Sequence, residues 1–263
     1  MVSRVKPAYK SRPFCLCGVD FLGKIVIITI MIDKWARYFG VNKPGEITWS
    51  HGTNSQEALI DALGRPVHFI ETDVMLNRLG KIICAHPPNT DSDLSLNDFF
   101  WRISQKAKIG IKLDFKLPEI FWPSLYLLEK YGLKQPIILN ADILQGNGAD
   151  AARFHPEAFL VICQTYLKDH ANVIVSPGWT TADDCFYTKE NVDEMISLCR
   201  WLDNVTFPVR LSLMEESWPE LRRLTEKDGW TLSVWSGTDP VTSDQRQWLK
   251  DNVDSMKAFI DIG

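Results

Sequence analysis

Three pairs of polar residues, each two positions apart, stand inside otherwise apolar stretches of this chain: Glu71 and Asp73, Lys112 and Asp114, Asn140 and Asp142. Successive side chains of a β-strand point to opposite faces, so residues two apart share one. If the three stretches are strands, each sends its polar pair the same way, and Ile111, Leu113 and Phe115 face the other side. Carboxylates are usually solvated, but three aligned pairs inside apolar runs are not a surface pattern. Buried together without partners, they would repel and raise one another's pKa. A divalent cation removes that conflict. Glu71, Asp73 and Asp114 offer oxygen ligands only, which suits a hard ion, Mg2+ or Ca2+. His51 and His86 fall just after neighbouring β-like runs, and each can give or take a proton near neutral pH. His68 is out of phase with Glu71 and reads as structural; His155 and His170 read as surface residues.

Such a constellation needs many short elements that end at one place. Strands are expected at 47–51, 67–74, 109–115, 136–141, 172–176, 205–211, 230–235 and 258–262, with a further β-like run at 81–85. Helical patterns lie between them and carry start signals: Asn54 with Glu57, Ser95 with Asp98, Pro118, Pro156, Thr188, Ser217 with Glu220, and Ser243. Gly132 and Gly229 read as stops. Eight mostly apolar strands alternating with helices at this length predict a (β/α)8 barrel over residues 33–263. An open doubly wound sheet would want a glycine-rich turn after its first strand, and His51-Gly52-Thr53-Asn54 is not one. In such barrels the active site lies at the carboxyl ends of the strands. His51, Glu71, Asp73, Asp114, Asn140, Asp142, Arg210 and Trp235 are all expected there, with His86 on the connection after the second strand.

The chain has 263 residues, 45% of them hydrophobic and 24% charged, which is globular composition rather than disorder. A net charge of −4 provides no general basic field for nucleic acid, so an anionic substrate must be held locally. The six cysteines are scattered and form no paired CxxC motif, which argues against a zinc site. The longest apolar run, residues 25–32, is far below the roughly 20 residues of a membrane span. It follows Arg4, Lys6, Lys10 and Arg12, yet it is short for a signal peptide and lacks a small-residue cleavage site. Residues 1–32 read as an extension, partly disordered or packed near the barrel floor, with the helical stretch 33–39 covering the floor or the gap left after the last strand.

His51-Gly52, Glu71-x-Asp73, His86 and an acidic residue in the third strand resemble the glycerophosphodiester phosphodiesterases and the sphingomyelinase D-type phospholipases. Residues 48–55 (TWSHGTNS), 71–74 (ETDV) and 112–116 (KLDFK) resemble more closely the menorin family, also called "family with sequence similarity 151", and in particular its short B-type members. The resemblance implies a phosphodiesterase-like barrel with metal carboxylates at Glu71, Asp73 and Asp114 and paired histidines at His51 and His86. It also implies a small phosphodiester or lipid head-group substrate, and it leans towards an extracellular setting. Gly52 stands where the phosphodiesterases usually have Arg, and Asp114 where they have Glu.

The expected chemistry is metal-dependent cleavage of a phosphodiester. Lys112 and Arg210 neutralise charge on the phosphoryl oxygens, and the two histidines share the proton transfers. Asn54, Asn140, Asp142, Arg210 and Trp235 are expected to contact substrate. A non-catalytic binding or signalling module of neuronal or sensory tissue would keep the same metal residues. A glycosidase with two carboxylates is a third reading, favoured if Trp179 and Trp235 presented open faces at the mouth.

Overall fold

Eight short runs pair side by side as parallel strands in a computed structural model, which describes residues 34–183 and 185–262. The strands are β1 (Trp49–Ser50), β2 (Phe69–Leu76), β3 (Ile82–Cys84), β4 (Gly110–Phe115), β5 (Ile137–Leu144), β6 (Val173–Trp179), β7 (Val205–Arg210), β8 (Trp230–Trp235) and β9 (Ala258–Asp261). Their order around the sheet is β1-β2-β4-β5-β6-β7-β8-β9, and β3 folds back antiparallel on β2. The result is a nearly closed (β/α)8 barrel with a hairpin at its mouth. The seam between β9 and β1 carries no strand ladder among the described residues. Instead the Gly45 amide donates to the Ser255 carbonyl at 3.0 Å, and side chains of β9 and the β1 end meet above it.

The helices are α1 (residues 34–39), α2 (Gln56–Gly64), α3 (Leu96–Ser104), α4 (Phe121–Tyr131), α5 (Pro156–Leu167), α6 (Lys189–Cys199), α7 (Met214–Leu221) and α8 (Ser243–Asn252). The outward strand residues pack under them in one continuous core, Phe115 of β4 meeting Phe121 of α4 edge-on at 4.8 Å. The inward residues change character along the barrel axis. At the floor, Phe69, Ile138, Ile174 and Phe259 pack with Ile47 and with Trp35 and Phe39 of α1. The expected floor helix is therefore present; Asp33 and the extension before it lie outside the described residues. Gly110 is fixed by this layer, because a Cβ there would lie 2.7 Å from the Phe69 ring. One level up, the inward side chains are Glu71, Lys112, Asn140, Ser176 and Ser233, all buried.

Three helix starts differ from expectation, each for a local reason. Ser55, not Asn54, caps α2 by accepting from the Ala58 amide; the Asn54 side chain is turned inwards to β2. Ser217 lies inside α7, which begins at Met214, and its hydroxyl accepts from the Tyr187 amide. Thr242 caps α8 in a reciprocal pair with Gln245, one residue before Ser243.

Candidate active site

The in-phase pairs of β2, β4 and β5 all open into one cleft at the carboxyl end of the barrel. It holds about 150 Å³ and is lined by His51, Glu71, Asp73, His86, Lys112, Asp114, Lys116, Asn140, Asp142, Trp179, Thr181, Pro208 and Trp235. Oxygens of Glu71, Asp73 and Asp114 come within 4.8 Å of one another. Each carboxylate is oriented from behind. The Gly52 amide donates to Glu71 Oε2 at 2.6 Å. Asn54 Nδ2 donates to Asp73 Oδ2 at 2.6 Å, while Asn54 Oδ1 accepts from the Thr72 hydroxyl and the Asp73 amide. Asn140 Nδ2 donates to Asp114 Oδ1 at 2.9 Å, and its carbonyl accepts from Ser176 at 2.7 Å, which fixes the amide's orientation.

The charges in the cleft are unbalanced. Burial, with Asp73 adding to it, raises Glu71 to about 7. Burial, with Asp114 adding, likewise raises Asp142 to about 7. Asp114 is held low: burial opposes its charge, but Lys116 and Lys112 outweigh it. The Lys116 ammonium lies 2.8 Å from Asp73 Oδ1 and 2.7 Å from Asp114 Oδ2. Lys112 is only 4% exposed, and its ammonium has no hydrogen-bond or ion-pair partner among the described residues. The His51 charge is matched by Asp261, and the remaining Glu71, Asp73, Asp114 and Asp142 face only Lys112 and Lys116, which leaves the cleft short of positive charge. That deficit, and the all-oxygen donor set, fit a hard divalent cation at Glu71, Asp73 and Asp114.

The two histidines differ in what holds them. His51 Nδ1 lies 2.7 Å from Asp261 Oδ2 and 4.0 Å from Glu71 Oε2. Burial disfavours its charge, but the Asp261 hydrogen bond and the fields of Glu71 and Asp261 prevail, raising its pKa to about 9. His86 Nδ1 lies 2.5 Å from the Pro87 carbonyl oxygen. A carbonyl can only accept, so His86 Nδ1 carries the proton there and Nε2 is the ring's other nitrogen.

Comparison with known proteins follows the same lines. Residues 44–263 match the family model described as "Menorin N-terminal domain". The chain belongs to the menorin family. The human protein FAM151B is 36% identical to this menorin-family chain over 231 residues, 82% of each. Among solved structures, a candidate glycerophosphodiester phosphodiesterase from Galdieria sulphuraria superposes with a TM-score of 0.54 at 14% identity, over 82% of this chain and 91% of that one. A glycerophosphodiester phosphodiesterase from Parabacteroides distasonis gives 0.53 at 11% identity, over 84% and 94%. At that identity these two structures establish the barrel fold.

Two residues expected in the menorin-family cleft stand outside it. Asn54 spends its amide on Asp73 and Thr72 and acts from behind the carboxylates. Arg210 turns to an adjoining cavity of about 220 Å³ that contains neither histidine nor any of the three acids. There its guanidinium binds Asp239 through Nε and Nη2 and Asp183 through Nη1, and lies 5.9 Å from the Trp235 ring. Its charge is already matched. Trp179 is almost fully buried against Tyr187 and Phe207 and presents no open face for a sugar. Two members of the site were not foreseen, Lys116 and Asp261. Lys116 is in phase with Asp114, and Asp261 is in phase with Phe259 on the strand that a closed barrel must bring beside His51.

Proposed function

We propose that this chain is a metal-dependent phosphodiesterase-like enzyme, hydrolase or lyase, acting on a small phosphodiester of the glycerophosphodiester or phospholipid head-group kind. The observation that carries the reading is a pair of histidines in the cleft that holds the acidic triad, each with Nδ1 engaged by an oxygen and Nε2 left over. His51, charged through its bond to Asp261, presents Nε2–H as the acid for the leaving oxygen. His86, with Nδ1–H given to the Pro87 carbonyl, presents Nε2 as the base for the attacking hydroxyl, whether of water or of a neighbouring substrate group. Lys112 is free to meet the phosphoryl oxygens, and Lys116 can turn to them from Asp73 and Asp114. Glu71, Asp73 and Asp114 would hold a cation, Mg2+ or Ca2+, which when bound supplies Lewis-acid polarisation of a phosphoryl oxygen. Gly52, Asn54 and Asn140 keep those three carboxylates pointed at one place.

Turnover of bis(p-nitrophenyl) phosphate with Mg2+ or Ca2+ tests this. His51→Ala and His86→Ala should each lower the rate by about 10²-fold or more. If the wild type is heat-stabilised by the cation yet turns over no phosphodiester, the chain is a binding module with a kept metal site.

A further inference from the structure

One polar group of the cleft has no task in that reaction. The Asp142 carboxyl lines the cleft and makes no hydrogen bond or ion pair with any described residue. Glu71, Asp73 and Asp114 all have partners. Asp142 is half-buried on the cleft wall, so its carboxyl is left for whatever enters the cleft. Here the backbone is arranged to keep it so. A Cβ at position 178, on the next strand, would lie 2.6 Å from Asp142 Oδ1 and 2.8 Å from Pro208 Cγ, so glycine leaves the carboxyl its place.

We propose that Asp142 is a specificity-determining residue that binds a hydroxyl on the alcohol part of the substrate, so that the cleft prefers polyol phosphates to apolar or amino-alcohol ones. The inference rests on the phosphodiester reading above. The free ammonium of Lys112 puts the phosphate beside β4. Asp142 stands on the adjacent strand, β5, with Thr181, Pro208 and Trp235 continuing the wall. An alcohol leaving the phosphate in that direction meets the carboxyl first. A carboxyl accepts hydrogen bonds when ionised and also donates one when protonated. A hydroxyl donates and accepts and therefore satisfies either state. An ammonium group would answer only the ionised state, and it would meet the fields of Lys116 and Lys112, both of which reach Asp142.

The test uses the full chain with Mg2+ and three probes of similar size, titrated calorimetrically: glycerol 3-phosphate, n-propyl phosphate and phosphoethanolamine. Glycerol 3-phosphate should bind about 10-fold or more tightly than n-propyl phosphate, the worth of one hydrogen bond to a charged or acidic group. Asp142→Leu should bring that ratio close to one, and Asp142→Asn, which still donates and accepts, should keep part of it. Asp142→Leu should fold with a melting temperature close to the wild type's, since the carboxyl holds no other described residue in place. Equal affinities in the wild type, a preference unchanged by Asp142→Leu, tighter binding of phosphoethanolamine, or no binding of any probe overturns the inference. A preserved hydroxyl preference without turnover of any phosphodiester supports it and removes the enzyme reading instead.

Discussion

Lys112 lends positive charge to a cleft that is short of it: its field lowers Glu71, Asp114 and Asp142. It does so while bonded to none of them, which leaves its ammonium for a ligand. Lys112→Met removes that field and should lower the melting temperature by about 2–4 °C, roughly 1 kcal/mol in a chain of this size. It should also lower phosphodiester turnover by about 10²-fold. Calorimetry and a rate assay on the same preparation read both effects, and a fall in melting temperature with turnover unchanged would mean that Lys112 is structural. His51 gives a prediction in pH. Its pKa is raised from 6.5 to about 9 by folding, so its contribution is complete below 6.5 and is lost as pH rises through 9. With chelator present, the wild-type melting temperature should fall between pH 6.5 and 9, and Asp261→Asn should show a flatter profile. Parallel profiles would remove the charged pair. The in-phase acids, His51 and Lys112 were legible because strand phase brings them to one mouth, and His86 was legible from its place on the connection after the second strand. Asp261 was not, since its partner lies 210 residues away and only closure of the barrel joins them. Lys116 was in phase too, but a lysine at a strand end reads as a solvated charge until Asp73 and Asp114 are seen around it.

At the scale of elements, the floor of the barrel depends on one missing side chain. The Phe69 ring lies where a Gly110 Cβ would be, so β2 and β4 can pair in this register only with glycine there. Gly110→Ala should cost about 1–3 kcal/mol, read as a lower urea midpoint, because neither the ring nor the ladder can yield freely. A neutral result would mean that Phe69 moves and that the floor layer with α1 is loose. The strands themselves were legible from apolar runs bounded by turns, and the core of each helix from its period. Helix starts were less so. Asn54 and Ser55 are both good caps by residue type, and what separates them is a tertiary demand: Asp73 needs the Asn54 amide. Ser217 likewise has the right type for a cap and is used instead to hold the Tyr187 amide from inside α7.

For the molecule as a whole, the acid-rich mouth makes stability depend on what is bound there. Mg2+ or Ca2+ at concentrations well above its dissociation constant should raise the melting temperature. Asp73→Asn should keep the fold and show a smaller cation-induced rise; an unchanged rise would take Asp73 out of the site. The barrel class was legible because eight alternating units within 263 residues leave few other architectures. The fate of residues 1–33 was not, and they lie outside the described residues. No helix of the described chain is long and apolar enough to cross a membrane. The seam between β9 and β1 has a consequence for how such a molecule moves. Elsewhere around the barrel, parting two strands breaks a ladder; here it breaks the backbone bond from Gly45 to Ser255 and the clasp between His51 and Asp261. The imidazole that would give up a proton in the proposed reaction is also the catch on the edge of the barrel that carries no ladder among the described residues. Each proton leaving His51 would slacken the catch, and each returning would draw it tight, so a turnover cycle would be felt as a small breathing of the wall between the first strand and the last.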